Sequence, residues 1–235
     1  INAGCGSTHP ENMARVVRER GADLGVALDG DADRVVFVDH TGAEVDGDRI
    51  LAMTALAMQR RGSLKNDTVV ATVMSNLGLE HALRRAGIRL VRTDVGDRYV
   101  VEEMRRGGHN LGGEQSGHIL FLDHATTGDG ILSALQVLAT MLESGKSLAE
   151  LKHVMETVPQ TLVNVRVKHK RPFAEVPVIA TAIDRATRAL ADRGRILVRY
   201  SGTEALARVM IEGDDPSFIA ELAGDVAQTI ERALG

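Results

Sequence analysis

The chain has 235 residues, 44% of them hydrophobic, enough to bury a sizeable core as one large domain or two to three small ones. A formal net charge of −4 shows no basic excess; this argues against a nucleic-acid partner, and an anionic ligand must be met by local arginine clusters. No apolar run approaches the roughly 20 residues that span a bilayer, and the single Cys5 cannot form an internal disulfide, which fits a reducing cytoplasm.

The chain begins Ile1-Asn2-Ala3, with no Met and no signal-peptide pattern, which predicts a fragment or processed product. Thr8 is placed to cap a helix with Pro10 and Glu11 in its first turn, an apolar face at Met13, Val16 and Val17, and an end at Gly21. Residues 25–28 and 34–38 read as buried strands on either side of an acidic loop, followed by a turn at 39–42. A strongly apolar helix spans 47–61. Strands at 68–73, 88–93 and 119–122 alternate with helices at 77–86, 97–106 and 129–143, and a Gly-rich loop follows Leu111. This order predicts an α/β fold, with mixed, mainly parallel sheets and flanking helices.

The last part differs. Residues 161–168 alternate apolar and polar, as a half-exposed strand does. A helix near 178–191, strands at 196–200 and 208–212 and a helix at 217–234 complete a C-terminal α+β domain with an antiparallel sheet. The segment around Pro159 is the expected linker and hinge.

Three loops carry candidate chemistry. Asp29, Asp31 and Asp33 occupy alternate positions after an apolar strand. If the loop curls, each pair of carboxylates at about 4 Å repels by roughly 4 kcal/mol at an effective dielectric near 20. A cation removes that cost, and oxygen-only ligands select a hard ion, Mg²⁺ before Zn²⁺. The other reading is a solvated acidic turn. Asp46-Gly47-Asp48 repeats the pattern less well, and helix capping is its expected role. In Arg199-Tyr200-Ser201-Gly202-Thr203-Glu204, Arg199 offers a planar fork to phosphate, Ser201 and Thr203 offer hydroxyls, and Gly202 frees backbone N–H groups; Arg208 adds a second cation. The other reading is an ordinary turn with a surface arginine. Glu114 and Ser116, within a Gly-rich loop, are spaced to grip neighbouring sugar hydroxyls, or are simply exposed. Arg98 stands where a helix start could face an anion, although Asp97 could equally cap that helix. His118 reads as a structural histidine.

Together these loops resemble the α-D-phosphohexomutase superfamily, and its glucosamine-phosphate branch in particular. Leu28-Asp29-Gly30-Asp31-Ala32-Asp33-Arg34 is similar to its metal loop. Gly113-Glu114-Gln115-Ser116-Gly117-His118 is similar to its sugar loop, and the 199–204 run to its phosphate loop, in family order over essentially the whole chain. Gln115 and the run 126–130 favour the glucosamine branch. Ala205 departs from a usual Pro.

The resemblance implies a four-domain mutase. Residues 1–46 would be the C-terminal half of the metal-binding second domain, 47–156 the sugar-binding third and 157–235 the phosphate-binding fourth. The missing N-terminal domain, with its phosphoserine, would be the partner of this chain; Ser7-Thr8-His9-Pro10 lacks the Asn of the nucleophile loop and is rejected as a substitute. The implied reaction interconverts glucosamine 6-phosphate and glucosamine 1-phosphate through a bisphosphate, on the route to UDP-N-acetylglucosamine. It implies Mg²⁺ on Asp29, Asp31 and Asp33, with Arg34 and Arg98 in support. It also implies sugar hydroxyls on Glu114 and Ser116, and the non-reacting phosphate on Arg199, Ser201, Gly202, Thr203 and Arg208. A phosphomannomutase/phosphoglucomutase and a non-catalytic sugar-phosphate-binding fragment remain alternatives. Homo-oligomerisation is left open.

Overall fold

In the computed structural model, which describes residues 2–235, the first helix, α1 (Glu11–Arg20), ends at Gly21 as expected. Its start differs: Pro10 sits at the N-cap and no side chain caps the helix, so Thr8 has no capping role. β1 (Leu24–Leu28) and β2 (Val35–Asp39) then form an antiparallel hairpin, with β3 (Glu44–Val45) added to β2. Parallel pairing is therefore absent from this first sheet, because the six residues between β1 and β2 reverse the chain directly. β2 is buried throughout, whereas β1, an edge strand paired only with β2, leaves Val26 40% exposed.

The chain divides into two compact units, Ile1–Glu156 and Thr157–Gly235. In the first, α2 (Gly47–Arg60) is buried on nearly every side, as a helix apolar all round must be. Around it lie β4 (Thr68–Thr72), α3 (Leu77–Arg85), β5 (Arg89–Thr93) and α4 (Asp97–Gly107). They are followed by β6 (Leu111–Gly113), β7 (Ile119–Phe121), α5 (Gly130–Ser144) and the short α6 (Leu148–Leu151). The second sheet has the order β5-β4-β6-β7, parallel except for β6 against β7. One apolar cluster joins Val35 and Phe37 of β2 to Ile50, Leu51, Leu79, Leu111 and Val137, so the hairpin and the second sheet share a core.

β6 corrects the expectation of a loop after Leu111. A Cβ on Gly112 would lie 2.5 Å from Met104 Sδ and 2.8 Å from the Val70 carbonyl; the glycine marks close packing inside a sheet, not a turn. Asp97 likewise does not cap α4: Gly96 holds the N-cap position and no side-chain cap forms.

The second unit comprises β8 (Gln160–Arg166), α7 (Pro177–Leu190), β9 (Gly194–Tyr200), β10 (Leu206–Gly213) and α8 (Pro216–Leu234). Its sheet is antiparallel with β10 central, and α7 and α8 pack on it through Ile179, Ala186, Ile219 and Val226. Among the described residues no helix is long and apolar enough to cross a membrane.

Two buried carboxylates make the first unit's stability depend on pH in opposite directions. Asp39 is fully buried and accepts from Lys152 Nζ at 2.5 Å and from the Thr41 hydroxyl at 2.6 Å. Burial pushes its pKa up, but Lys152, Thr41 and the Ala43 and Thr41 amides outweigh that and hold it at about 2. Replacing Lys152 by Met strands a buried charge and should lower the unfolding free energy by about 3 kcal/mol in urea titrations near neutral pH. The ion pair's contribution is present above the free value of 3.8, so the deficit should shrink as pH falls towards 2.

Asp48, also fully buried, accepts from the Asn76 amide at 2.7 Å. Burial and the neighbouring Asp46 raise its pKa to about 7. The unfolded chain releases this proton near 3.8 and the folded chain keeps it to about 7, so stability falls as pH rises through that window. Asp48→Asn should flatten that slope in pH-dependent denaturation.

Candidate functional site

The acidic loop is the connection of the β1–β2 hairpin. Its curl is set by backbone bonds, Ala32 N–H to the Asp29 carbonyl and Asp29 N–H to the Arg34 carbonyl, and by Arg34 N–H donating to Asp29 Oδ1 at 3.1 Å. Ala32 takes a left-handed φ of 62°, a conformation that costs a non-glycine residue energy and turns the chain tightly. As a result Asp29, Asp31 and Asp33 each place one carboxylate oxygen within 4.8 Å of the others. The convergence the spacing suggested is present, although a hairpin and not the end of a parallel strand produces it. Asp33 is held above the ordinary carboxylate range by burial first, then by the Asp29 carboxylate against it, and His118 offsets part of this. Asp33 Oδ1 is buried without a hydrogen-bond partner. The N-terminus of α5 touches the same loop, Gly130 N–H donating to the Ala32 carbonyl at 2.8 Å, so its positive end lies beside the carboxylates.

Two further residues join this group: His118, which sequence reading took as structural, and Arg34, which it placed in support. His118 is buried, and its Nδ1 lies 3.0 Å from Asp33 Oδ2. Its Nε2 has no hydrogen-bond partner and faces Asp97 Oδ2 at 4.0 Å. The signal available in the sequence was only its place at the end of the Gly-rich loop. Arg34 stands beside the carboxylates, Nε 3.8 Å from Asp29 Oδ2 and 4.0 Å from Asp33 Oδ1. Arg98 does not join them: its side chain is 78% exposed and bonded to Glu102 one turn along α4, at 2.8 Å.

The Glu-Ser loop is brought to the acidic loop by close backbone contact. Val35 N–H donates to the Gly117 carbonyl at 3.0 Å, and Arg34 bridges to His118. Gly117 has a φ of 93°, and a Cβ there would lie 2.1 Å from the Val35 carbonyl, so only glycine permits the approach. Glu114 Oε1 accepts from the Gly96 amide at 3.0 Å, and the exposed Ser116 hydroxyl lies 3.5 Å from Glu114 Oε2. The Glu114 carboxylate and the Ser116 hydroxyl thus stand side by side on a loop that Gly117 and His118 join to the hairpin of the three carboxylates.

In the second unit, Arg199 and Arg208 are directly opposed across β9 and β10. Burial, and then the Arg208 charge, lower the pKa of Arg199. Arg208 donates to Glu204 at 3.1 Å while its Nε is buried without a partner. Ser201 is buried, its hydroxyl accepting from the Glu204 amide at 3.3 Å, and Lys170 Nζ donates to the Ser201 carbonyl at 2.6 Å. Gly202 and Thr203 form the exposed tip, and space is open around the Gly202 α-carbon. Two like charges held together beside a loop of donors are an arrangement with the chemistry to receive an anion.

Comparison with known proteins defines the class. Residues 46–158 match the family model "Phosphoglucomutase/phosphomannomutase, alpha/beta/alpha domain III", and residues 162–229 match "Phosphoglucomutase/phosphomannomutase, C-terminal domain". The chain belongs to the phosphohexomutase family, a family of mutases. Within it, similarity is high to curated phosphoglucosamine mutases. That of Syntrophotalea carbinolica is 59% identical over 235 residues, all of this chain and 51% of that protein; that of Geotalea daltonii is 59% identical over 235 residues, covering 52%. The chain spans about half the length of the curated relatives it matches. Among solved structures, Aspergillus fumigatus N-acetylphosphoglucosamine mutase in complex with GlcNAc-6P and magnesium is 24% identical with a TM-score of 0.78, over 100% of this chain and 54% of that one. A phosphoglucomutase/phosphomannomutase family protein from Burkholderia thailandensis is 22% identical with a TM-score of 0.73, over 97% of this chain and 51% of that one. These two likenesses show a shared fold.

The contact between Gly117 and Val35 decides whether the two loops of the first unit remain together. Gly117→Ala should lower stability by roughly 2 kcal/mol or more, measured by urea unfolding, because both the positive φ and the carbonyl contact oppose a side chain.

Proposed function

We propose that this chain is the metal-, sugar- and phosphate-binding part of a phosphoglucosamine mutase, which interconverts glucosamine 6-phosphate and glucosamine 1-phosphate through a bisphosphate. The observation that carries this reading is the convergence of Asp29, Asp31 and Asp33 on a hairpin joined to the Glu114–Ser116 loop through Gly117 and His118, in a chain 59% identical to curated phosphoglucosamine mutases. We assign residues 1–46 to the second domain of such an enzyme, 47–156 to the third and 157–235 to the fourth. The serine that carries the phosphoryl group lies, on this reading, in the half of the relatives' length that this chain does not span. The location proposed for the protein is the cytoplasm.

The donor set fits Mg²⁺: three carboxylate oxygens, no sulfur, and at Asp33 a buried oxygen that accepts no hydrogen bond. Bound by Asp29, Asp31 and Asp33, the ion supplies charge neutralisation for a transferring phosphoryl group. Arg34 orients phosphate beside the carboxylates. Glu114 accepts from, and Ser116 exchanges hydrogen bonds with, adjacent sugar hydroxyls. Arg199, Arg208, Ser201, Thr203 and the Gly202 backbone anchor the phosphate that does not react. Arg98 is left with a supporting electrostatic role, given its pairing with Glu102.

The test uses the full-length protein that contains this chain, assayed with glucosamine, glucose and mannose 6-phosphates. A preference for the glucosamine substrate is expected, and a clear preference for mannose 6-phosphate would overturn the assignment. Arg199→Gln should reduce kcat/KM by roughly 10- to 100-fold, chiefly through KM, because a charged hydrogen bond to phosphate is lost. The isolated 235-residue chain should bind sugar phosphate without turning it over; turnover by that material would refute the placement of the serine outside it.

A further inference from the structure

The motif Asp46-Gly47-Asp48 takes no part in the chemistry above, yet its residues hold two separate loops, Asp46 and Gly47 the one at Gln115 and Asp48 the one at Asn76. Asp46 divides its two oxygens. Oδ1 accepts from the Arg49 amide at 3.1 Å and caps α2, while Oδ2 accepts from Gln115 Nε2 at 3.3 Å. Gly47 N–H donates to the Gln115 carbonyl at 3.0 Å. A Cβ on Gly47 would lie 2.1 Å from the Glu114 carbonyl and 2.9 Å from that of Gln115, so the loop rests directly on the helix backbone. Asp48 takes the Asn76 amide, and so fixes this end of α2 to the turn after β4. Gln115 therefore faces α2, whereas its neighbour Glu114 faces the Gly96 amide.

We propose that Asp46, Gly47 and Gln115 form a positioning lock, in which the Gln115 amide and carbonyl clamp the Glu-Ser loop to the start of α2 and thereby set the pose of Glu114 and Ser116. Gln115 is a positioning residue: it acts on a sugar ligand through its neighbours, without touching it. The consequence for sugar recognition rests on the reading of Glu114 and Ser116 given above; the lock itself rests on the hydrogen bonds and the Gly47 contact. A capping role alone would not require the second oxygen of Asp46, the Gln115 carbonyl or the bare α-carbon at position 47.

Amide hydrogen exchange on the 235-residue chain tests the lock, with the Gly96 amide reporting on Glu114 and the Gly117 amide on the loop turn. Gln115→Glu sets a second carboxylate against Asp46. It should raise exchange at Gly96 and Gly117 by about fivefold, the size of one lost hydrogen bond. Adding Asp46→Asn reverses the donor and acceptor of the pair, keeps a good helix cap, and should restore protection to within about twofold of the original. Gly47→Ala should raise exchange at the same two amides without altering any charge. Unchanged protection in Gln115→Glu, or no recovery in the double variant, overturns the lock. Titration with glucosamine 6-phosphate separates the two claims. Shifts at Glu114 and Ser116 that weaken in Gln115→Glu and return in the double variant support the positioning role. No shift in the unaltered chain removes the sugar reading of the loop, while the exchange comparison still decides the lock.

Discussion

The backbone of residues 114–118 lies against two other strands of chain at van der Waals limits, and the candidate site depends on that contact. On one side Gly117 meets the Val35 carbonyl at the start of β2. On the other, the Glu114 and Gln115 carbonyls meet the bare α-carbon of Gly47 at the start of α2. Each approach excludes a side chain, and each is sealed by a backbone hydrogen bond. Backbone contact of this kind tolerates little drift, because hydrogen bonds and sterics fix both distance and direction. The Glu-Ser loop is in consequence held to the hairpin that carries the aspartates and to the helix that begins the second sheet.

Charge is managed in the same place by different means. Three carboxylates converge on one face of the hairpin loop, where α5 presents its N-terminus and Arg34 and His118 stand alongside. Protein groups relieve the repulsion only in part, since Asp33 stays above the ordinary range and one of its buried oxygens accepts no hydrogen bond. The second unit shows the opposite sign of the same arrangement, with Arg199 and Arg208 opposed across two strands and Glu204 answering only one of them. Like charges held together by a rigid scaffold raise the affinity of a site for a counter-ion, because the scaffold's folding energy opposes their separation.

The core of the first unit ties these features to stability. Val35 and Phe37 of the hairpin share one apolar cluster with α2, α3, β6 and α5, and the buried Asp39–Lys152 pair joins β2 to the residues after α6. The hairpin is thus no appendage. Loss of packing beneath it would disperse the carboxylates, and the strain at Ala32 persists because this surrounding structure holds it.

Residue type and spacing by themselves determined most of the elements and all three candidate loops. The alternation in 161–168, the apolar run in α2 and the donors of 199–204 are local properties, and local chemistry produces them. What only the tertiary structure decided lies at long separation. Asp33 meets His118 across 85 positions and Gln115 meets Asp46 across 69, and no periodicity encodes such pairs. The same holds for the antiparallel sense of β1 and β2, for β6 where glycines suggested a loop, and for Arg98, which a neighbouring glutamate turns outward. Local sequence sets which groups are available. Which of them face one another is set by packing, because burial of the shared core, not the preference of any single segment, determines how the loops are brought together.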